Sequence, residues 1–142
     1  MSRLLKVLII DDSDDDALLI FRMLRKEYYE PFSERVETEE DLIPALQKCQ
    51  WDIVLCDYKL PVLDCRKALE LTRKYDPNIP FILISGYAND QMVEEIIKAG
   101  ADNFIAKDEM TNLIPTIEKE LIKAKIRVKK RLAEQASLSG GI

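Results

Sequence analysis

Ile53-Val54-Leu55-Cys56-Asp57 places four apolar residues in a row and then a single acid. A run this short, β-branched at its start and ended by a charge, reads as a strand buried on both faces, as strands inside a parallel sheet are. Three further runs have the same form. Leu5-Lys6-Val7-Leu8-Ile9-Ile10 stops at Asp11-Asp12, Phe81-Ile82-Leu83-Ile84 stops at Ser85-Gly86, and Asn103-Phe104-Ile105-Ala106 stops at Lys107. Ser33 to Val36 is a weaker, more polar run suited to a sheet edge.

Longer amphipathic stretches separate these runs. Leu18, Leu19, Met23 and Leu24 have helical spacing after the first strand. Thr38 to Lys48 predicts a second helix, in which Pro44 requires either a start near Asp41 or a distortion. Asp64 can cap a third helix running to about Lys74. Asn89 to Ala99 predicts a fourth, with Gly100 placed to end it. A fifth is expected from about Asn112 to Ala136, before a flexible tail from Ser137 to Ile142. Five β-α repeats predict an α/β fold of the doubly wound, flavodoxin-like kind. Its five-stranded parallel sheet has the order 2-1-3-4-5, with five helices on its two faces and the last one extended. The expected domain spans residues 4–126, and 127–142 form a C-terminal helix extension and flexible tail.

The chain has 142 residues, 47% hydrophobic and 33% charged, which suits one folded domain of ordinary size. Its apolar runs are too short to span a bilayer and it opens without a signal-like segment, so a cytoplasmic protein with no membrane partner is expected. It contains no histidine, which removes the usual ligands of zinc and haem and excludes Cys-His or Ser-His-Asp catalysis within the chain. Cys49, Cys56 and Cys65 read as free or buried thiols. From Glu118 to Arg131, seven Lys or Arg stand against two Glu, a net +5 that leaves −10 for the rest of a chain of net charge −5. This basic stretch reads as a solvated helix face rather than a nucleic-acid surface.

The polar residues fall at the strand ends. Asp11 and Asp12 follow the first strand, Asp57 the third, Ser85 the fourth and Lys107 the fifth. With the order 2-1-3-4-5, strands one and three are neighbours where the order reverses, and ligand sites in such sheets lie at the carboxyl ends beside that point. Three carboxylates brought together there repel one another unless a cation neutralises them, and oxygen donors select Mg²⁺ or Mn²⁺. Lys107 can pair with a phosphoryl oxygen and Ser85 can donate to another, so the set suits attack of a carboxylate on phosphorus. Asp14, Asp15 and Asp16 read as first-turn charges favoured by the helix dipole.

These segments resemble the receiver domain of two-component response regulators. The resemblance runs from about Leu5 to Lys125 and rests on Val7-Leu8-Ile9-Ile10-Asp11-Asp12, Leu55-Cys56-Asp57-Tyr58-Lys59-Leu60-Pro61, Ile84-Ser85-Gly86 and Ala99-Gly100-Ala101-Asp102-Asn103-Phe104-Ile105-Ala106-Lys107. It implies that Asp57 accepts a phosphoryl group from a histidine kinase or phosphotransfer protein. Asp12, Asp57 and the main-chain carbonyl of Lys59 would bind Mg²⁺, with Asp11 acting mainly through water. Lys107 and Ser85 would hold the phosphate, and Phe104 would be the aromatic switch of a helix 4-strand 5-helix 5 surface. Such a domain is a phosphoacceptor and not an enzyme, beyond self-phosphorylation from small donors and autodephosphorylation.

The chain departs from the family pattern in places. Lys107 precedes Asp108 where the family commonly has a cis proline, and a cis non-proline bond costs roughly 2.5–4 kcal/mol, which leaves that geometry open. Asp64-Cys65 stands where Asp-Gly is common. Lys59 and Tyr87 occupy variable positions, and a bulky Tyr87 is expected to shield an acyl phosphate from water. Ile117, Leu121, Ala124 and Val128 have the spacing of a short coiled-coil seam, which leaves a homodimer open alongside a helix packed on its own sheet. The domain is expected either to stand alone or to belong with a fused or separate effector or sensor module. Other classes fit less well. A flavodoxin-like cofactor site would want a Ser/Gly-rich loop after strand one, and a haloacid-dehalogenase-type phosphatase needs Asp-x-Asp where this chain has Asp57-Tyr58-Lys59. The closer rival is a degenerate receiver serving as a phosphorylation-independent interaction or dimerisation module.

Overall fold

The computed structural model describes residues 3–86 and 90–140; Tyr87 and Asn89, both singled out above, lie outside the described residues. The elements alternate as β1 (Arg3–Ile10), α1 (Asp14–Lys26), β2 (Tyr29–Val36), α2 (Glu39–Lys48), β3 (Ile53–Asp57), α3 (Cys65–Tyr75), β4 (Phe81–Ser85), α4 (Asp90–Ala99), β5 (Asn103–Ala106), a short 3₁₀ segment (Lys107–Asn112) and α5 (Leu113–Gly140). The strands form one parallel sheet in the order β2-β1-β3-β4-β5, as expected.

Side chains alternate between the two faces of each strand, and this parity builds two cores. Leu8, Ile10, Val54, Cys56, Phe81 and Leu83 face α2, α3 and α4, meeting Leu42, Leu46, Ala68, Leu69 and Ile96. Val7, Ile9, Ile53, Leu55, Ile82 and Ile84 face the other way, onto Ile20 and Leu24 of α1 and Leu113 and Ile117 of α5. Each large aliphatic side chain buried in this way contributes about 1.5–3 kcal/mol. The central strands are therefore apolar throughout because neither face meets water.

Several boundaries differ from expectation. β2 begins at Tyr29, four residues earlier than Ser33, and pairs with β1 along its whole length from Arg3↔Tyr29 to Ile10↔Val36. Pro31 concealed this part, yet an edge strand tolerates proline because one side has no ladder to lose. Leu24 is buried and Met23 packs beside it, as read, but Leu18 and Leu19 are 45% and 47% exposed and Ile20 is buried in their place. α2 begins at Glu39 under a Thr38 cap and runs through Pro44. Asp64 caps α3 as expected, accepting the Arg66 N–H. Gly100, at φ +122°, ends α4: its N–H reaches the Ile97 carbonyl and that of Ala101 reaches Ile96, the paired bonds of a Schellman cap.

α5 starts at Leu113 after the 3₁₀ segment and continues to Gly140, beyond the Ala136 expected and into the stretch read as a flexible tail. Ala133, Glu134, Gln135 and Ala136 all favour the helix, and its one proline, Pro115, stands in the first turn, where it is tolerated. Of the four seam positions, Ile117 is buried and Leu121 packs on the same core, so the first half of this row belongs to the domain itself. The outward apolar residues of α5 are Ile122, Ile126 and Leu132, with Val128 partly exposed. Among the described residues no peptide bond is cis, so Lys107-Asp108 is trans. No described helix is long and apolar enough to cross a membrane, and the three cysteines are free thiols, with Cys56 and Cys65 buried.

Candidate functional site

Parallel strands end together, so the polar residues that close β1, β3, β4 and β5 meet at one edge of the sheet. Asp11 continues β1, its N–H donating to the Val36 carbonyl (3.0 Å), and its side chain accepts the Ser13 N–H at 2.9 Å. Arg35 donates to the Asp11 carbonyl (3.0 Å) and pairs with Asp14 (2.6 Å), tying the loop to β2. Ser13 then caps α1 by accepting the Asp16 N–H at 3.2 Å. Asp12 projects from this turn into solvent, while Asp11 is 3% and Asp57 5% exposed.

Carboxylate oxygens of Asp11, Asp12 and Asp57 lie within 4.8 Å of one another. Burial pushes the Asp11 carboxyl up to about 6, and the negative charge of Asp57 adds to the rise against the opposing hydrogen bond from Ser13. The Lys107 charge works against this rise without cancelling it. Three carboxylates of this kind form an oxygen donor set, one that fits Mg²⁺ or Mn²⁺ and not a metal wanting nitrogen or sulfur.

Asp57 ends β3. Its Oδ1 accepts the Lys59 N–H at 3.1 Å and its Oδ2 accepts Lys107 Nζ at 3.1 Å. The Lys107 stem runs alongside Gly86, where an added Cβ would lie 3.5 Å from Lys107 Cδ. Partial burial works against the Lys107 ammonium, but the hydrogen bonds it donates to Asp16 and Asp57 outweigh it and raise its pKa above the ordinary lysine value. Ser85, buried, closes β4 between Asp57 and Lys107 in sheet order, opposite Ala106 of β5. Phe104 pairs with Leu83 across β4 and β5, half-buried against the α2-α3-α4 core. Its other side borders a cavity of about 280 Å³ shared with Glu109, Asn112 and Lys119.

All the residues predicted at the strand ends are thus gathered at one edge, with Phe104 two residues back along β5. One was missed. Asp16, read above as a first-turn charge, accepts Lys107 Nζ on its Oδ2 at 2.8 Å. The signal was available in the spacing Asp16-Ile20-Leu24, which puts this acid on the buried stripe of α1.

The family model of the response regulator receiver domain matches residues 7–118. The chain is 32% identical to the chemotaxis protein CheY of Thermotoga maritima over 102 residues, covering 72% of this chain and 84% of that protein. Among solved structures, it superposes on NtrX of Brucella abortus with a TM-score of 0.80 at 25% identity, covering 90% of this chain and 30% of that longer one. A CheY-like receiver domain protein of Methanospirillum hungatei gives a TM-score of 0.76 at 26% identity, with 87% and 98% covered.

Proposed function

The chain belongs to the response regulator receiver domain family of two-component signalling, and from that premise we propose that Asp57 is its phosphoacceptor, loaded by a histidine kinase or a phosphotransfer protein with Mg²⁺ or Mn²⁺ beside it. The observation that carries this reading is the convergence of Asp11, Asp12 and Asp57 within 4.8 Å, with Lys107 Nζ 3.1 Å from Asp57. A phosphorylation-independent module would need none of these groups to meet.

Asp11, Asp12, Asp57 and the Lys59 carbonyl would hold the divalent ion, whose charge offsets that of the transferring phosphoryl oxygens. A carboxylate oxygen of Asp57 attacks the phosphorus, and an O–P bond forms as the P–N bond to the donor histidine breaks. The electron pair stays on that nitrogen, which takes up a proton. Lys107 donates an N–H to one phosphoryl oxygen and Ser85 its O–H to another, so both meet charge where it builds. The protein acts as a phosphoacceptor and not as an enzyme of turnover.

Phe104, packed on the α2-α3-α4 core and bordering the cavity beside α5, would be the side chain through which movement of Ser85 toward the phosphoryl group is read. The receiver occupies residues 4–126, and the C-terminal segment 127–142, which α5 carries as far as Gly140, leads toward an effector or sensor module, or a second copy. The domain works in the cytoplasm, without direct contact to nucleic acid or membrane. Incubation with a small phosphodonor tests the core of this reading. Mass of one phosphoryl group should appear with Mg²⁺ and vanish with a chelator; addition that ignores the chelator would contradict it.

A further inference from the structure

We infer that Asp16 is a positioning residue, the counter-ion that draws Lys107 away from the divalent-cation site and so raises the protein's affinity for Mg²⁺. The inference rests on the reading that Asp11, Asp12 and Asp57 bind that ion. Lys107 Nζ is shared between two carboxylates, Asp16 at 2.8 Å and Asp57 at 3.1 Å. Asp57 is also the carboxylate that an ion between Asp11 and Asp12 would need. Two cations would then compete for one acid and repel each other at close range. Asp16 is outside that three-carboxylate group and approaches from α1, so it offers the ammonium a second partner away from the ion.

Both ends of the arrangement are fixed. The Lys107 stem lies along Gly86, and the hydrogen bonds that Nζ donates to Asp16 and Asp57 hold its head. Asp16 is set by its own N–H, held by Ser13 at the helix cap, so its place does not depend on its side chain. Its neighbours differ in partners. Asp14 pairs with Arg35, and Asp15, exposed, forms no ion pair among the described residues. Removing the Asp16 charge has two effects of the same sign: the site loses a nearby anion, and Lys107 falls back on Asp57.

Calorimetric titration of the full chain with Mg²⁺ tests this. Asp16→Asn should weaken binding about three- to tenfold at low ionic strength, and by less as salt screens the partly exposed pair. Asp15→Asn, which removes the same charge one residue away, should change it less than about twofold. Asp16→Glu should recover most of the affinity, and in a Lys107→Ala background Asp16→Asn should do little more than Asp15→Asn. Metal-free melting curves establish that each variant folds. Unchanged or tighter Mg²⁺ binding by Asp16→Asn, or an equal loss in Asp15→Asn, would overturn the inference alone. Failure of the unaltered protein to take up Mg²⁺ would overturn the metal-site reading and the inference with it.

Discussion

Lys107 Nζ reaches Asp57 Oδ2 at 3.1 Å across the end of β4, although β3 and β5 do not pair. Adjacent strands lie about 4.8 Å apart, so side chains two strands away start roughly 10 Å from each other. A long side chain is needed to bridge that distance, and lysine brings a compact charge at its tip. The fold thus supplies a buried carboxylate with its counter-charge from fifty residues away in sequence.

Replacing this lysine should slow loading of Asp57. Lys107→Ala leaves the phosphoryl oxygens without their ammonium, and the initial rate with a small phosphodonor at saturating Mg²⁺ should fall by about tenfold or more. Lys107→Arg keeps the charge but spreads it over a planar fork, so an intermediate rate is expected.

The raised pKa of Asp11 gives a pH dependence with a definite sign. Below the ordinary value of 3.8 the carboxyl is protonated in both folded and unfolded chains, and its contribution to stability is fully present. That contribution is lost as pH rises through about 6, because the folded protein must then carry a buried charge. Asp11→Asn stays neutral throughout. In metal-free urea unfolding it should gain stability over the unaltered protein near pH 7, and the gain should shrink toward pH 4. Saturating Mg²⁺ should reverse the order at neutral pH, since the ion favours the ionised acid.

At the opposite end of the sheet, Asp102 Oδ2 accepts both Arg73 and the Phe81 N–H, each at 2.8 Å. Asp102→Ala would leave the Phe81 N–H without its acceptor and take the carboxylate from Arg73, which keeps the Ile79 and Gly100 carbonyls, at a cost of about 1–3 kcal/mol in urea unfolding. Asp102→Asn keeps one acceptor and should cost less. Neither should alter Mg²⁺ affinity, because this latch lies at the far edge of the sheet from the carboxylates.

The central strands were legible because burial on both faces makes them apolar from end to end, and each is stopped by the polar residue that serves the site. β2 was only half visible, since Pro31 and the charges around it are acceptable at an edge and nowhere else in the sheet. In α1 the run Leu18-Leu19-Ile20 contains apolar residues on adjacent faces, and only packing selects Ile20. Asp16 and Lys107 are 91 residues apart, so their pairing needs the folded chain even though the helical spacing placed Asp16 on the correct stripe. Asp102 stood in plain view in the motif before β5, but its partners come from α3, β4 and α5.

Reductive trapping decides whether Asp57 takes the phosphoryl group. The full chain is incubated with a small phosphodonor and Mg²⁺, treated with borohydride to convert an acyl phosphate to the stable alcohol, then digested and mapped by mass. The reduced residue should appear at position 57, none elsewhere, and none in Asp57→Asn. Reduction at another acid, or a phosphoryl adduct that persists in Asp57→Asn, would contradict that role for Asp57.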